Sequence, residues 1–120
     1  MRALVATEHG AYAVDVEAEE VLGLEEADVP QRTADSSGST AVVILDRRPP
    51  LRVSQDGGAT WTDAGGGLPP GHGVAVHPER PELVLYAGRN RLYLSEDGGV
   101  FWRALAFELP EIRAVAWSDG

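Results

Sequence analysis

The stretch Ser54-Gln55-Asp56-Gly57-Gly58-Ala59-Thr60-Trp61 returns 41 positions later as Ser95-Glu96-Asp97-Gly98-Gly99-Val100-Phe101-Trp102. The serine, the aspartate two places on, the paired glycines and the closing tryptophan all keep their places. Thr60 alone among the ordered positions gives way, to Phe101. A fixed period near forty residues marks an array of small supersecondary units, each needing a neighbour to bury its apolar face.

The period reaches beyond the octapeptides. The same shift of 41 lays Thr40-Ala41-Val42-Val43-Ile44-Leu45 on Pro81-Glu82-Leu83-Val84-Leu85-Tyr86, and Leu51-Arg52-Val53-Ser54 on Leu92-Tyr93-Leu94-Ser95. It also lays Gly73-Val74-Ala75-Val76-His77 on Ala114-Val115-Ala116-Trp117-Ser118. A shift of 81 adds a faded copy, with Arg2-Ala3-Leu4-Val5-Ala6 over Leu83-Val84-Leu85-Tyr86-Ala87 and Ala11-Tyr12-Ala13 over Leu92-Tyr93-Leu94. That first unit has no octapeptide, since Val14-Asp15-Val16-Glu17 carries neither glycine nor tryptophan.

Each unit divides into short strands. In the best copy His72 to His77 alternates around Val74 and Val76, and Pro78-Glu79-Arg80-Pro81 breaks the chain. Leu83 to Ala87 is nearly all apolar, as a strand covered on both faces should be. Arg89-Asn90 offers a tight turn in which asparagine tolerates positive φ, and Arg91 to Ser95 makes the third strand. Asp97-Gly98-Gly99 turns again, and Phe101 to Phe107 is expected as the outermost strand. Four antiparallel strands repeated radially make a propeller blade. Residues 17–39 are the least regular. Residues 17–27 have helix-forming composition, but the repeat register predicts an outer strand near Val21 to Leu24 and an inner one near Val29 to Ala34, and strand is the favoured reading. Pro30 is a poor fit to a central ladder, and residues 34–39 read as a polar loop.

The octapeptide resembles the Asp-box, Ser-x-Asp-x-Gly-x-Thr-Trp, of BNR-repeat β-propeller proteins of the sialidase, sortilin-like and photosystem-assembly-factor-like kinds. The first copy meets each defined position and the second departs at Phe101. The resemblance implies structural roles for Ser54, Asp56, Gly58, Thr60 and Trp61, and for Ser95, Asp97, Gly99 and Trp102. In that family the boxes sit at turns between third and fourth strands, on the face away from the active site. A sialidase needs three arginines for the substrate carboxylate, a tyrosine nucleophile with a glutamate base, and an acidic aspartate on the opposite face. It also usually carries an Arg-Ile-Pro motif early in the chain, which this sequence lacks. Tyr12, Tyr86 and Tyr93 stand among apolar neighbours and read as packed aromatics, so no catalytic residue is assigned.

The expected architecture is all-β, with blades of four antiparallel strands and about three blades in the chain. Residues 1–39 form a degenerate first blade and linker, 40–71 the second blade and 72–110 the third. The first unit lacks its innermost strand, and Glu111 to Trp117 is equivalent to a lone innermost strand. Three blades fall below the roughly four to eight that close a ring. Residues 111–120 are therefore expected to complete a blade in a neighbouring copy, giving a six-bladed homodimer by head-to-tail strand exchange, or to belong with a missing remainder. On the exchange reading, deleting residues 111–120 should abolish assembly and spare the blade around Trp102.

Charge narrows the partners. The formal net charge is −9 and every cation is arginine, which opposes binding to nucleic acid or anionic membrane. No cysteine is present, which excludes disulfides and thiolate-bound metal. The N-terminal apolar run, Ala3 to Ala6, is too short for a signal or a span, so a cytoplasmic protein is expected. His9, His72 and His77 lack ligand-like spacing and no metal or cofactor is expected; His77, before Pro78, caps a turn. Gly65-Gly66-Gly67 precedes Leu68-Pro69-Pro70 and not a helix, so it is no phosphate loop. The acidic run from Glu17 to Asp28 reads as a solvated edge.

The end opposite the octapeptides collects Glu8-His9, Arg47-Arg48, Arg89-Asn90-Arg91 and the loops of residues 65–73 and 108–110. Arginine pairs at equivalent turns can hold a carboxylate or phosphate through bidentate bonds. Arg47, Arg48, Arg89, Arg91 and His72 are the candidate binding residues, for a small anionic or carbohydrate ligand. The competing reading is of solvated turns balanced by Asp46, Glu79 and Asp97. The function expected is a noncatalytic interaction or ligand-binding scaffold. The alternatives are a glycosidase-like or sialidase-like hydrolase fragment or degenerate relative, and a purely structural module.

Overall fold

A computed structural model describes residues 1–118 and folds them into twelve strands, with no helix among the described residues. β1 (Arg2–Thr7), β2 (Gly10–Asp15) and β3 (Glu20–Glu25) form a meander. The second meander is β4 (Ala34–Ser37), β5 (Thr40–Ile44), β6 (Leu51–Ser54) and β7 (Thr62–Ala64). The third is β8 (Gly73–Val76), β9 (Val84–Ala87), β10 (Leu92–Ser95) and β11 (Arg103–Ala104). β12 (Ile112–Trp117) then returns to β1, so each of three antiparallel sheets has four strands. The all-β architecture of four-stranded units stands as expected.

The third sheet lies between the other two, and its sequence shows why. Along β9 all four residues are buried, as a strand covered on both faces requires. Val84 and Tyr86 join a core with Val42, Leu51, Val53 and Leu68 of the second repeat. Leu85 and Ala87 join a separate core with Ala3, Val5, Val14 and Ile112 of the first sheet. The inner strands gather, with β8 beside both β4 and β12. The outer strands β3, β7 and β11 pack against no strand of another sheet, and no strand of the first sheet meets one of the second among the described residues. The sheets therefore fan outward from their inner strands.

The tail strand has a seat within its own chain. β12 pairs with β1 of its own chain, aligning Ala3 with Trp117 and Val5 with Val115, and so completes the first sheet in cis. The third sheet delivers it there. Trp117 Nε1 donates to the carbonyl of Ala75 at 3.0 Å, and its ring lies 4.9 Å from that of His77. Ile112 and Val115 are buried against the third sheet. The last two positions of the predicted 111–120 segment lie outside the described residues.

Four expectations from the sequence change. The outer strand near Val21 to Leu24 is present as β3, but the inner strand falls at Ala34–Ser37, on the segment expected as loop. Pro30 has no N–H to give, whereas two polar side chains of β4, Asp35 and Ser37, find partners in the third repeat. Asp35 Oδ2 accepts the Val76 N–H at 2.8 Å, and Ser37 Oγ donates to the Pro78 carbonyl at 2.9 Å. The outermost strand of the third sheet is only Arg103–Ala104, because Phe101 is used in the turn and Leu105 enters the core. The shift of 41 relates β6 to β10 but not β5 to β9. Ala41 pairs with Ser54 as Val84 pairs with Ser95, a shift of 43, because the turn of residues 45–50 is two longer than that of residues 88–91. The asymmetry preserves which face each side chain occupies, since two residues is one strand period. Asn90 does not use positive φ; Glu19, at φ 54, is the one non-glycine that does among the described residues.

Candidate functional site

The octapeptides build one end of the molecule. In the first, Asp56 Oδ1 accepts the Thr60 N–H at 2.9 Å, and the Ser54 hydroxyl donates to the same oxygen at 2.7 Å. Ser54 Oγ accepts the Gly58 N–H at 2.8 Å, and Trp61 Nε1 donates to the Gly58 carbonyl at 3.1 Å. The second repeats each contact: Phe101 N–H to Asp97, Ser95 hydroxyl to Asp97, Gly99 N–H to Ser95, and Trp102 Nε1 to the Gly99 carbonyl. Thr60 adds a hydroxyl bond to Asp56 Oδ2 that Phe101 cannot supply. That hydroxyl, with the Thr60 N–H and the Ser54 hydroxyl, holds the Asp56 carboxyl down to about 2. At Asp97 burial opposes ionisation, but the N–H of Phe101 and the hydroxyl of Ser95 outweigh it and the pKa is lowered.

These turns also join sheets. Gln55 Nε2 donates to the Asp97 carbonyl at 2.9 Å, and a Cβ on Gly99 would stand 2.9 Å from Val53 Cγ1. Both oxygens of Asp56 and Oδ1 of Asp97 are engaged within their own turns, which makes each octapeptide a latch.

The opposite end gathers the connecting turns. Leu109 N–H donates to the Asn90 carbonyl at 2.8 Å, and Ile112 N–H to the Arg89 carbonyl at 2.7 Å. Glu8 N–H donates to the Glu111 carbonyl, and Glu111 N–H to Glu8 Oε2 at 3.0 Å. The turns are thus laced in a row by backbone bonds. Arg89 pairs with Glu111 at 3.2 Å and Arg91 with Glu108 at 2.8 Å, both at exposed positions. Their partners are not the Asp46, Glu79 and Asp97 expected, because Glu108 and Glu111 reach them from the next loop.

Arg47 and Arg48 have a different setting. They line a cleft of about 510 Å³ between the turn of residues 45–50 and the loop before β8, with Ile44, Leu68, Pro70 and Gly71 as apolar wall and Asp46 also in its lining. Arg47 reaches Asp63 at 3.0 Å, while Arg48 has no ion pair among the described residues. Arg48 follows Leu45-Asp46-Arg47 and precedes a cis bond to Pro49. Beneath the loop lies Tyr86, whose hydroxyl donates to the Pro69 carbonyl at 2.5 Å. Burial pushes the Tyr86 hydroxyl up to about 12, Tyr93 adds to the rise, and the Arg48 charge acts against it.

Of the five candidate binding residues, the structure brings Arg47 and Arg48 to one cleft. His72 follows Gly71 of its wall and is engaged through its backbone, donating N–H to Ala87 and accepting from Gln31 Nε2. Arg89 and Arg91 lie on the neighbouring turn and do not line it. Sequence reasoning missed Thr33, Ile44, Leu68 and Pro70, since nothing marks an apolar wall until two repeats are packed together. Among the described residues there is no group of three His, Cys, Asp or Glu placed to hold a metal ion, and no helix long and apolar enough to cross a membrane. Comparison with protein-family models, with curated proteins and with solved structures gives no match to this chain.

Proposed function

We propose that the chain is a noncatalytic binding scaffold of propeller-blade type, held at one end by Asp-box latches and binding a small anionic ligand at the other. The observation that carries this is the cleft around Arg48. It is of a size suited to small ligands, about 510 Å³ within the roughly 300–1,000 Å³ usual for such sites. It combines an apolar wall with a guanidinium that no carboxylate neutralises among the described residues. A carboxylate or phosphate seated there gains a charge-assisted bond from Arg48, and Arg47 can leave the exposed Asp63 to add a second.

The hydrolase reading is the weaker one. A tyrosine nucleophile must lose its proton easily, and Tyr86 is held the other way by burial, with its hydroxyl spent on Pro69. Tyr93 packs at the edge of the same core and contributes aromatic contact.

Isothermal titration with inorganic phosphate, acetate, glucuronate and a free sialic acid tests the proposal. At least one anion should bind, and Arg48→Ala should weaken it by about tenfold or more, the loss of one charged hydrogen bond. Arg89→Ala, remote from the cleft, should leave affinity unchanged. No binding by any of the four, or equal binding by the Arg48 variant, would overturn it.

A further inference from the structure

The two flanks of the three-sheet stack are complementary by repeat position. We propose that they dock on each other between two copies of this chain, closing a ring of six sheets in which each copy keeps its own β12. The inference rests on the uncovered sheet faces and is independent of the anion site.

Each sheet offers one face to the sheet before it and the other to the sheet after it. Val74, Val84 and Tyr86 of the third sheet meet Val42 and Val53 of the second. Leu85 and Leu94, on its other face, meet Val5 and Val14 of the first. At the ends of the stack, one face of each kind has no sheet upon it. On the second sheet this face carries Ala34 and Val43, paired across β4 and β5, with Ala41 and the half-buried Trp61. On the first sheet it carries Leu4 paired with both Ala13 and Ala116, and Ala6 paired with Ala11.

Register shows that the two faces are of opposite kind. Leu4 and Ala13 form a cross-strand pair, as Leu85 and Leu94 do in the third sheet and Val42 and Val53 in the second. In the second sheet that pair receives Gly99 of the neighbouring octapeptide, at 2.9 Å from Val53 and 3.7 Å from Val42 for a built Cβ. Gly58 and Trp61 of one copy are the equivalent groups for Leu4 and Ala13 of the other. The small side chains of the first sheet leave a shallow floor where the indole of Trp61 can lie.

Charge agrees. Beside the face of the first sheet stand Glu25, Glu26 and Asp28. Beside the face of the second stand Arg32 and Arg52, of which Arg32 has no ion pair among the described residues. Area agrees as well. Four strands about 4.8 Å apart and about five residues long give each face roughly 300 Å² in projection. Two such faces per copy approach the roughly 800 Å² per partner of a standard interface once relief and rims are added. Copy number follows from closure: one copy supplies too few sheets for a ring of roughly four to eight, two fall within it and three exceed it.

Sedimentation equilibrium of the full chain, with Trp fluorescence followed over the same dilution series, tests the proposal. The expected species has twice the 12.8 kDa chain mass, and its emission shifts red on dissociation as Trp61 regains water. Val43→Arg and Leu4→Glu should each raise the dissociation constant roughly a hundredfold, as loss of a buried interface contact does. Circular dichroism should report an unchanged fold in both, since neither side chain belongs to a core of the chain. The double variant should recover dimer, because each seam then pairs the new arginine with the new glutamate. A monomer at the highest attainable concentration, an assembly larger than two copies, or a dimer indifferent to both single variants overturns the proposal. Arg48→Ala should leave the mass unchanged, which separates failure here from failure of the anion site.

Discussion

At the scale of single residues the octapeptide is a device for satisfying a tight turn. One carboxylate and one hydroxyl accept several N–H groups that would otherwise meet water poorly at a sheet junction. The glycines differ in what they are for. Gly57 sits at φ 72 with nothing within 4 Å of a built Cβ, whereas Gly99, at φ 101, would also press on Val53. Gly57→Ala should cost about 1 kcal/mol, the price of left-handed backbone alone. Gly99→Ala should cost about 1–3 kcal/mol and more than Gly57→Ala, because strain and overpacking combine. Urea unfolding midpoints rank the two. Asp56 yields a pH signature. Its folded value of about 2 lies below the 3.8 of a free aspartate, so the unfolded state binds the proton more readily. The stability it contributes is complete above pH 3.8 and is lost as pH falls toward 2. Asp56→Asn should flatten the acid limb of a stability-against-pH curve in that window and leave the neutral side parallel to wild type.

At the scale of elements the decisive object is β12. It is last in the chain, yet it lies beside β8 and pairs with β1, so it fastens the first sheet to the third. Its buried Ile112 and Val115 serve the larger core. Ile112→Ala should destabilise the whole chain by about 2–5 kcal/mol, as deletion of a buried aliphatic group does. Deleting residues 111–120 should remove cooperative unfolding of the first sheet and loosen the third, read by the emission of Trp102. That outcome is the reverse of the one strand exchange predicts, and it follows from where β12 is packed. Glu19 works at the same scale. Its carboxylate accepts the Ala106 N–H at 2.8 Å and pairs with Arg103 at 2.9 Å, which ties the first sheet to the edge of the third and compensates its own positive φ.

At the scale of the whole molecule, two cores flank one central sheet and the outer faces of the stack are left without a sheet. The long axis of 39 Å matches three layers at about 10 Å with their loops. On the proposals above, the anion cleft and the docking faces are separable properties of this stack. The cleft belongs to the junction of the second and third repeats, so it should be complete in a monomer and survive dissociation. Anion binding measured at concentrations below the dimer constant checks this, with equal affinity in both states as the expected result.

Period and composition by themselves determined the strand content, the number of units, the octapeptide turns and the collection of arginines at the other end. Those are local properties: a turn needs its glycines and its aspartate, and a strand covered on both faces must be apolar throughout, as Val84 to Ala87 is. Tertiary structure alone decided the rest. The polar Ala34–Ser37 is a strand because Asp35 and Ser37 find partners a repeat away, and no local preference announces that. Arg48 differs from Arg89 and Arg91 only in what the next loop brings: Leu68 and Pro70 to the first, Glu111 and Glu108 to the others. The cis closure by β12 was hidden because a lone strand at the end of a repeat array fits its own first sheet or another copy's equally well. Its choice is made by the burial of Ile112, Val115 and Trp117 against the third sheet, a contact between segments far apart in the chain.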